Sequence, residues 1–360
     1  LNQKINIRNL TLSELIEYFH TINEQVFRAK QVFEWLWKKN VHSFDDMTNL
    51  GKVLRDKLKE LFFIDYISLK DQQISTDRTI KCAFSVDEGK IMEGVLIPTS
   101  SRMTACISSQ IGCSLTCSFC ATGRLKLLRN LSVGEIYDQV VFLKNQAEQR
   151  YEKTLTNIVF MGMGEPLLNY KNVLKSIQFI CSDDGLSMSA RRITLSTAGI
   201  AKMIRKLGDD EVKFNLAISL HAANDQKRNQ IMEINETNNL KSLSDSLIYF
   251  FNKTKSRITF EYIIFRDFND SIVDAIELAN FVKCVPCKIN IIEYNPIENG
   301  HFKQADSKKV EEFAHFLESK NLIVNIRRSR GKDIDAACGQ LANKNKAINP
   351  EDRKLKKQIS

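Results

Sequence analysis

Gly112-Cys113-Ser114-Leu115-Thr116-Cys117-Ser118-Phe119-Cys120 carries three cysteines at C-x3-C-x2-C spacing, and the reading of this loop decides the fold downstream of it. Three thiolates on one short loop suit three irons of a four-iron four-sulfur cluster, whereas an ordinary electron-transfer cluster uses a fourth cysteine. The fourth iron is then open. A zinc staple usually takes four closed ligands from paired C-x2-C arrangements, and no second pair stands at a suitable distance. Cys284 and Cys287 form a C-x2-C pair without partners, and with Cys82 and Cys181 they read as small core residues.

The loop follows an apolar run at 103–108. Further runs at 157–161, 192–197, 213–220, 257–264, 288–293 and 322–327 alternate with segments at 132–148, 172–181, 240–251, 272–282 and 307–319 that repeat apolar residues at helical spacing. Strand and helix in regular succession specify a parallel sheet, which can be a doubly wound sheet or a (β/α) barrel. Residues 1–75 lack this alternation and predict short helices at 10–20, 28–39 and 50–62. They carry Arg28, Lys30, Lys38, Lys39, Lys52, Arg55, Lys57 and Lys59, a basic face whose plain reading is a solvated surface. Residues 79–85 and 90–98 predict a β-hairpin turning at Asp87-Glu88-Gly89. The lysine-rich stretch 343–360 reads as a basic, disordered tail.

The chain of 360 residues has 52 Lys and Arg against 43 Asp and Glu, a net charge of +9, which suits a polyanionic partner. No stretch approaches the roughly 20 apolar residues of a membrane span, and the N-terminus lacks the apolar run of a signal peptide. Nine cysteines without an export signal then argue for metal or redox chemistry in a reducing compartment, so a cytoplasmic protein is expected.

The cysteine spacing, with an aromatic Phe119 before the last cysteine, resembles the signature of the radical S-adenosylmethionine superfamily. The resemblance implies a [4Fe-4S] cluster on Cys113, Cys117 and Cys120, whose open iron chelates S-adenosylmethionine and passes one electron to its sulfonium. It also selects the fold: an α/β radical SAM partial (β/α) barrel over 103–342 with a small N-terminal helical accessory domain over 1–75, joined by the hairpin of 76–102. In such barrels the chemistry collects at the C-terminal ends of the strands, where this loop falls. Met161-Gly162-Met163-Gly164-Glu165-Pro166, after the second strand, is similar to the superfamily's Gly-Gly-Glu-like turn that holds the methionyl amino group.

More specifically, Phe27-Arg28-Ala29-Lys30-Gln31, Cys106-Ile107-Ser108-Ser109-Gln110, Cys120-Ala121-Thr122-Gly123, Ser219-Leu220-His221-Ala222, Tyr294-Asn295-Pro296 and Arg330-Gly331-Lys332-Asp333-Ile334-Asp335-Ala336-Ala337-Cys338-Gly339-Gln340-Leu341 resemble the bacterial adenine-C2 methyltransferases of 23S rRNA and tRNA. The resemblance implies that one S-adenosylmethionine methylates Cys338 and a second yields a 5'-deoxyadenosyl radical that takes hydrogen from the S-methyl group. The carbon radical adds to the adenine, one electron is lost, Glu93 accepts the ring proton, and Cys106 attacks the sulfur of Cys338, releasing the methylated base and leaving a transient disulfide. It assigns cofactor contacts to Gly164, Glu165, Ser196, Ser219, Leu220, His221 and Asn295, and implies an external electron donor, no membrane and a monomer. From the residues alone Glu93 reads as a strand carboxylate facing water, and His221 as a hydrogen-bonding loop histidine. Arg327, Arg328, Arg330 and Lys332 supply positive surroundings that favour a Cys338 thiolate. RNA phosphates are expected on the N-terminal face and the Arg124 to Arg129 loop. Two other readings are open: a carbon-8 paralogue, which tends to carry alanine where this chain has Pro166, and a non-catalytic, zinc-stapled RNA-binding protein.

Overall fold

The computed structural model describes residues 4–86 and 89–342; most of the expected hairpin turn and the lysine-rich stretch 343–360 lie outside them. After a short strand β1 (Ile5–Asn6), three helices follow: α1 (Leu12–Thr21), α2 (Val26–Trp37) and α3 (Lys52–Leu61). Thr11 starts α1 with a reciprocal cap to Glu14. Along α2, Ala29, Val32, Phe33, Leu36 and Trp37 are buried at helical spacing. A two-residue strand β2 (Phe62–Phe63) pairs in parallel with β1.

The chain then builds one ten-stranded sheet. Strands β3 (Ser68–Ile74), β4 (Ile80–Ser85), β5 (Ile91–Pro98) and β6 (Met103–Cys106) pair antiparallel in succession. The hairpin strands are therefore an extension of the barrel sheet, and the stretch to residue 75, expected as a helical unit, ends in a strand past its last expected helix. Edge strand β3 is polar and largely exposed, with a register shift at Leu69/Asp71, so it shows no apolar alternation to read. A short antiparallel pair, β7 (Gln110–Ile111) with β8 (Arg129–Asn130), brackets the cysteine loop.

From there the alternation is regular: α4 (Val133–Tyr151), β9 (Asn157–Phe160), α5 (Tyr170–Cys181), β10 (Ile193–Thr197), α6 (Ala201–Asp209), β11 (Asn215–Ser219), α7 (Asp225–Ile231), α8 (Leu240–Thr254), β12 (Ile258–Ile264), α9 (Ile272–Val282), β13 (Cys287–Glu293), α10 (Ser307–Ser319) and β14 (Val324–Arg327). Strands β6 and β9 to β14 pair in parallel in chain order. Such strands are covered on both faces and read as unbroken apolar runs; all seven residues of β12 are buried. The sheet order runs from β14 at one edge to β3 at the other, an open barrel as the resemblance implied. Helices α6 and α7 were not read from the sequence; both are under ten residues, too short for periodicity to show.

The segment after β14 bridges the two edges. Asp333 accepts hydrogen bonds from Ser75 Oγ (2.5 Å) and the Thr76 amide (3.0 Å), while Asp77 accepts one from the Gly331 amide (2.9 Å). The chain then crosses the barrel mouth, where the Gly339 carbonyl accepts from the Ala121 amide (2.7 Å) and the Leu341 carbonyl from Thr122 Oγ1 (2.6 Å).

The N-terminal helices share a core with the barrel. Trp37 stacks on Phe179 at 3.7 Å between ring centroids, and Tyr137 Oη donates to the Trp37 carbonyl at 2.6 Å. Between these parts Arg8 is fully buried, pairs with Asp138 at 2.8 Å and lies against Trp37. Removing one member of a buried ion pair leaves an uncompensated charge. Asp138→Ala should therefore cost about 3–5 kcal/mol, measured as a fall in the urea midpoint of the whole chain.

Candidate active site

The cysteine loop is shaped by its first glycine and pinned from outside. Gly112 adopts φ +75°, and a Cβ there would stand 2.2 Å from the Lys126 carbonyl oxygen, so no other residue fits. The Cys113 amide donates to the Leu125 carbonyl (3.3 Å) and the Ser118 amide to that of Ile231 (3.1 Å). Phe119 packs beneath the loop with Phe265, Ile263, Ile292 and Tyr294.

Cys113, Cys117 and Cys120 open onto one cavity of about 860 Å³ at the C-terminal ends of the parallel strands. Burial pushes all three thiols up, Cys113 to about 11, and neighbouring thiolates add to the effect on Cys113 and Cys117. Crowded, desolvated thiols of this kind ionise when cations take the protons' places. The Leu115 amide already donates to Cys113 Sγ at 3.4 Å. Among the described residues no group of three His, Cys, Asp or Glu is placed to hold a single metal ion. A cluster that gives each thiolate its own iron fits this trio better than one zinc.

Glu165 faces the same cavity from the turn after β9. Gly164 (φ +93°) brings that turn onto Gln110, where a Cβ would meet Gln110 Cβ at 2.4 Å. The Glu165 carboxylate accepts from the Ala198 amide (2.8 Å) and the Leu167 amide (3.0 Å), yet burial outweighs both bonds and pushes it up to about 7. A buried carboxyl in this state is suited to receive a cationic amine.

Ser196 and Ser219, at the ends of β10 and β11, also line the cavity, with hydroxyls 3.4 Å apart. His221 lines it too; its Nδ1 accepts from the Ile263 amide at 3.0 Å, and burial pulls it down to about 3. It is a neutral ring carrying its proton on Nε2. Leu220 is buried outside the lining, and its amide donates to the Glu261 carbonyl. Asn295 donates to the Cys338 carbonyl at 3.3 Å, and its buried Oδ1 accepts no hydrogen bond.

Cys338 lies in the lining of this cavity and of a second one of about 1020 Å³ that contains Cys106, Arg327, Arg328 and Arg330. All nine cysteines are free thiols. Burial pushes Cys106 up to about 12, with the Met161 amide and Arg327 opposing, and it raises Cys338 against Arg327. The expected thiolate-favouring surroundings are thus outweighed by desolvation. Of the four basic residues Arg327 is the one that lowers Cys338, and Glu261 and Cys120 work against it. Arg328 and Lys332 are held by Glu293 at 2.8 and 3.0 Å, and Arg330 by the Asp77 carbonyl.

Glu93 departs from its sequence reading. It is buried on β5, covered on both faces, its Oε2 accepts from the Ala342 amide at 2.9 Å, and Lys81 Nζ stands 3.8 Å from Oε1. It belongs to the lining of neither cavity. Sequence reasoning also missed Glu261, which is buried on β12 and bonded to Asn290 (2.8 Å) and Arg327 (3.4 Å). The signal was a lone carboxylate inside an apolar strand.

Residues 5–64 match the ribosomal RNA large subunit methyltransferase N-terminal domain, and residues 107–279 match the radical SAM superfamily. The probable dual-specificity RNA methyltransferase RlmN of Cytophaga hutchinsonii is 59% identical over 336 residues, covering 93% of this chain and 92% of that protein. This chain belongs to the RlmN family. The dual-specificity RNA methyltransferase RlmN of Campylobacter fetus is 40% identical over 89% of this chain and 94% of its own. A crystal structure of a radical SAM methyltransferase from Sphaerobacter thermophilus superposes with a TM-score of 0.88 at 36% identity, covering 94% of this chain and 99% of that one. As a member of the RlmN family and the radical SAM superfamily, the chain is a methyltransferase that uses a [4Fe-4S] cluster and S-adenosylmethionine.

The raised Glu165 group has a consequence for stability. Its folded value of about 7 lies above the ordinary 4.5, so stability is full below pH 4.5 and falls as pH rises through 7. Relative to Glu165→Gln, the ligand-free wild-type chain should lose roughly 3 kcal/mol across that interval, read from urea unfolding at each pH.

Proposed function

We propose that this chain methylates carbon 2 of adenine in 23S rRNA and in tRNA, with the transferred carbon carried on Cys338. The observation that carries the reading is the position of Cys338 in the lining of both cavities, one with the cysteine trio and Glu165, the other with Cys106 and arginines. When bound, the cluster supplies one electron to the sulfonium of S-adenosylmethionine and so a carbon radical. Cys113, Cys117 and Cys120 hold the irons, and Glu165 meets the methionyl ammonium. Gly164 keeps that turn close, and Ser196, Ser219, His221, the Leu220 backbone and Asn295 complete the contacts.

Cys338 first loses its proton and accepts a methyl group, later gives one hydrogen atom from it, and then holds the carbon against the base. Glu93 accepts the ring proton once the Ala342 amide moves off its Oε2. Cys106, as thiolate, attacks the sulfur of Cys338 and breaks that sulfur's bond to the transferred carbon, which takes a proton and leaves as the methyl group of the base, and an external dithiol reopens the disulfide that forms. The relatives named above support RNA methylation over the zinc-stapled reading, and Pro166 supports carbon 2 over carbon 8. The reading puts the protein in the cytoplasm as a monomer served by an external one-electron donor. Among the described residues no helix is long and apolar enough to cross a membrane.

The division of labour between the thiols is testable with labelled RNA on denaturing gels. Cys106→Ala should accept a methyl group, start the reaction and stall covalently joined to RNA through Cys338, because no second thiolate displaces the bound sulfur. Cys338→Ala should form neither product nor adduct. Normal turnover by Cys106→Ala, or an adduct in Cys338→Ala, would reverse these assignments.

Residues 1–75 act, on this reading, as the RNA-binding accessory part. Arg129 is held by Glu135 through two hydrogen bonds and Arg124 by the carbonyls of Glu298 and Asn299, and both Arg124 and Lys126 are exposed. On the helices, Lys38 and Lys39 are exposed, and Lys39 lies 3.6 Å over Trp35. Replacing Lys38 and Lys39, or Arg55 and Lys57, with glutamine should weaken RNA binding and flatten the slope of log affinity against log salt by about one to two. Unchanged slopes for both pairs would make this face a solvated surface.

A further inference from the structure

Arg228, in α7, has no exposed surface, yet every hydrogen bond from its guanidinium ends on a neutral oxygen. Nε donates to the Leu220 carbonyl (3.1 Å), Nη1 to Asn235 Oδ1 (2.6 Å), and Nη2 to the carbonyls of Ala198 (2.6 Å) and Ser219 (3.4 Å). The nearest carboxylate, exposed Asp225, accepts instead from Asn235 Nδ2 (2.8 Å) and the Leu240 amide (2.9 Å). Burial pulls the arginine down to about 10, and Cys117 is the leading influence that opposes the fall.

A cation buried among neutral partners costs several kcal/mol unless an anion stands near it. An anion held by the cysteine loop meets this demand, because α7 ends at Ile231, one helical turn on from Arg228, and the Ile231 carbonyl accepts from the Ser118 amide between Cys117 and Cys120. A four-iron cluster held by three thiolates is anionic and gains a further negative charge on reduction, and its potential follows net charge and nearby dipoles. The same arginine grips the Ala198 carbonyl while Glu165 grips the Ala198 amide, so its position is fixed relative to the cavity.

We propose that Arg228 is the fixed countercharge of the iron–sulfur cluster and eases its one-electron reduction. This rests on Cys113, Cys117 and Cys120 being the iron ligands. The affected step adds one electron from an external low-potential donor, and Arg228 keeps its proton throughout.

The test is a potentiometric titration of reconstituted holoenzyme, followed by the electron-spin signal of the reduced cluster. Arg228→Gln should weaken reduction at least about tenfold, a fall of ~59 mV for one electron, and Arg228→Lys should restore most of it. A second variant keeps the arginine and the total charge: Asp225→Asn with Asn235→Asp sets the carboxylate directly on Nη1. It should also lower the potential with iron content unchanged, and it decides the matter if Arg228→Gln does not fold. Wild-type potentials in every variant that folds would overturn the proposal and leave Arg228 a structural clamp. A full four-iron cluster in Cys117→Ala would instead fault the ligand assignment beneath it.

Discussion

The parallel strands are laid down in chain order but the sheet stays open between β14 and β3, and this molecule joins the two edges with side chains rather than with another strand. Asp333 is held by Ser75 and Thr76, and Asp77 holds Gly331. The C-terminal segment takes its course from that exchange. It sends the chain back across the mouth so that Gly339 and Leu341 brace the cysteine loop and Ala342 reaches Glu93. Cys338 is positioned between the two cavities by contacts on both sides of it.

The site pairs strong desolvation with sparse positive charge. Glu165 and the thiols of Cys106, Cys113, Cys117, Cys120 and Cys338 are all held toward their protonated forms by burial. Such groups ionise when cations take the protons' places. Two arginines serve this region, buried Arg228 and half-exposed Arg327, each used differently. Arg327 shares its charge among Glu261, Cys338 and Cys106, whereas Arg228 is bonded to neutral oxygens beside Cys117.

The cysteine loop, the barrel strands and the turn at Glu165 were legible because each is local: a spacing, an apolar run, a glycine beside a carboxylate. Edge strand β3 was not, since its faces are polar, and neither were the short helices α6 and α7. Glu93 was misread because a carboxylate on a strand ordinarily faces water, and only the tertiary cover from Ala342 and Lys81 shows otherwise. The Glu261–Arg327 pair joins positions 66 residues apart, and no window along the chain contains both. In the Arg124 to Arg129 loop the sequence shows the basic residues but not their bonds, which run from Arg129 to Glu135 and from Arg124 to the carbonyls of Glu298 and Asn299.

Trp37 lies flat on Phe179 and Arg8 is sealed against Asp138, so the N-terminal helices and the barrel grow from one continuous core. A hinge would have to tear that core open. On the proposed reading, the span from the lysines of α2 to the sulfur of Cys338 is then a fixed gauge, and an RNA would be accepted when its own folding can bring a backbone and an unstacked adenine to that separation. Two RNAs of unlike sequence can satisfy one such gauge, provided that each can bend to it.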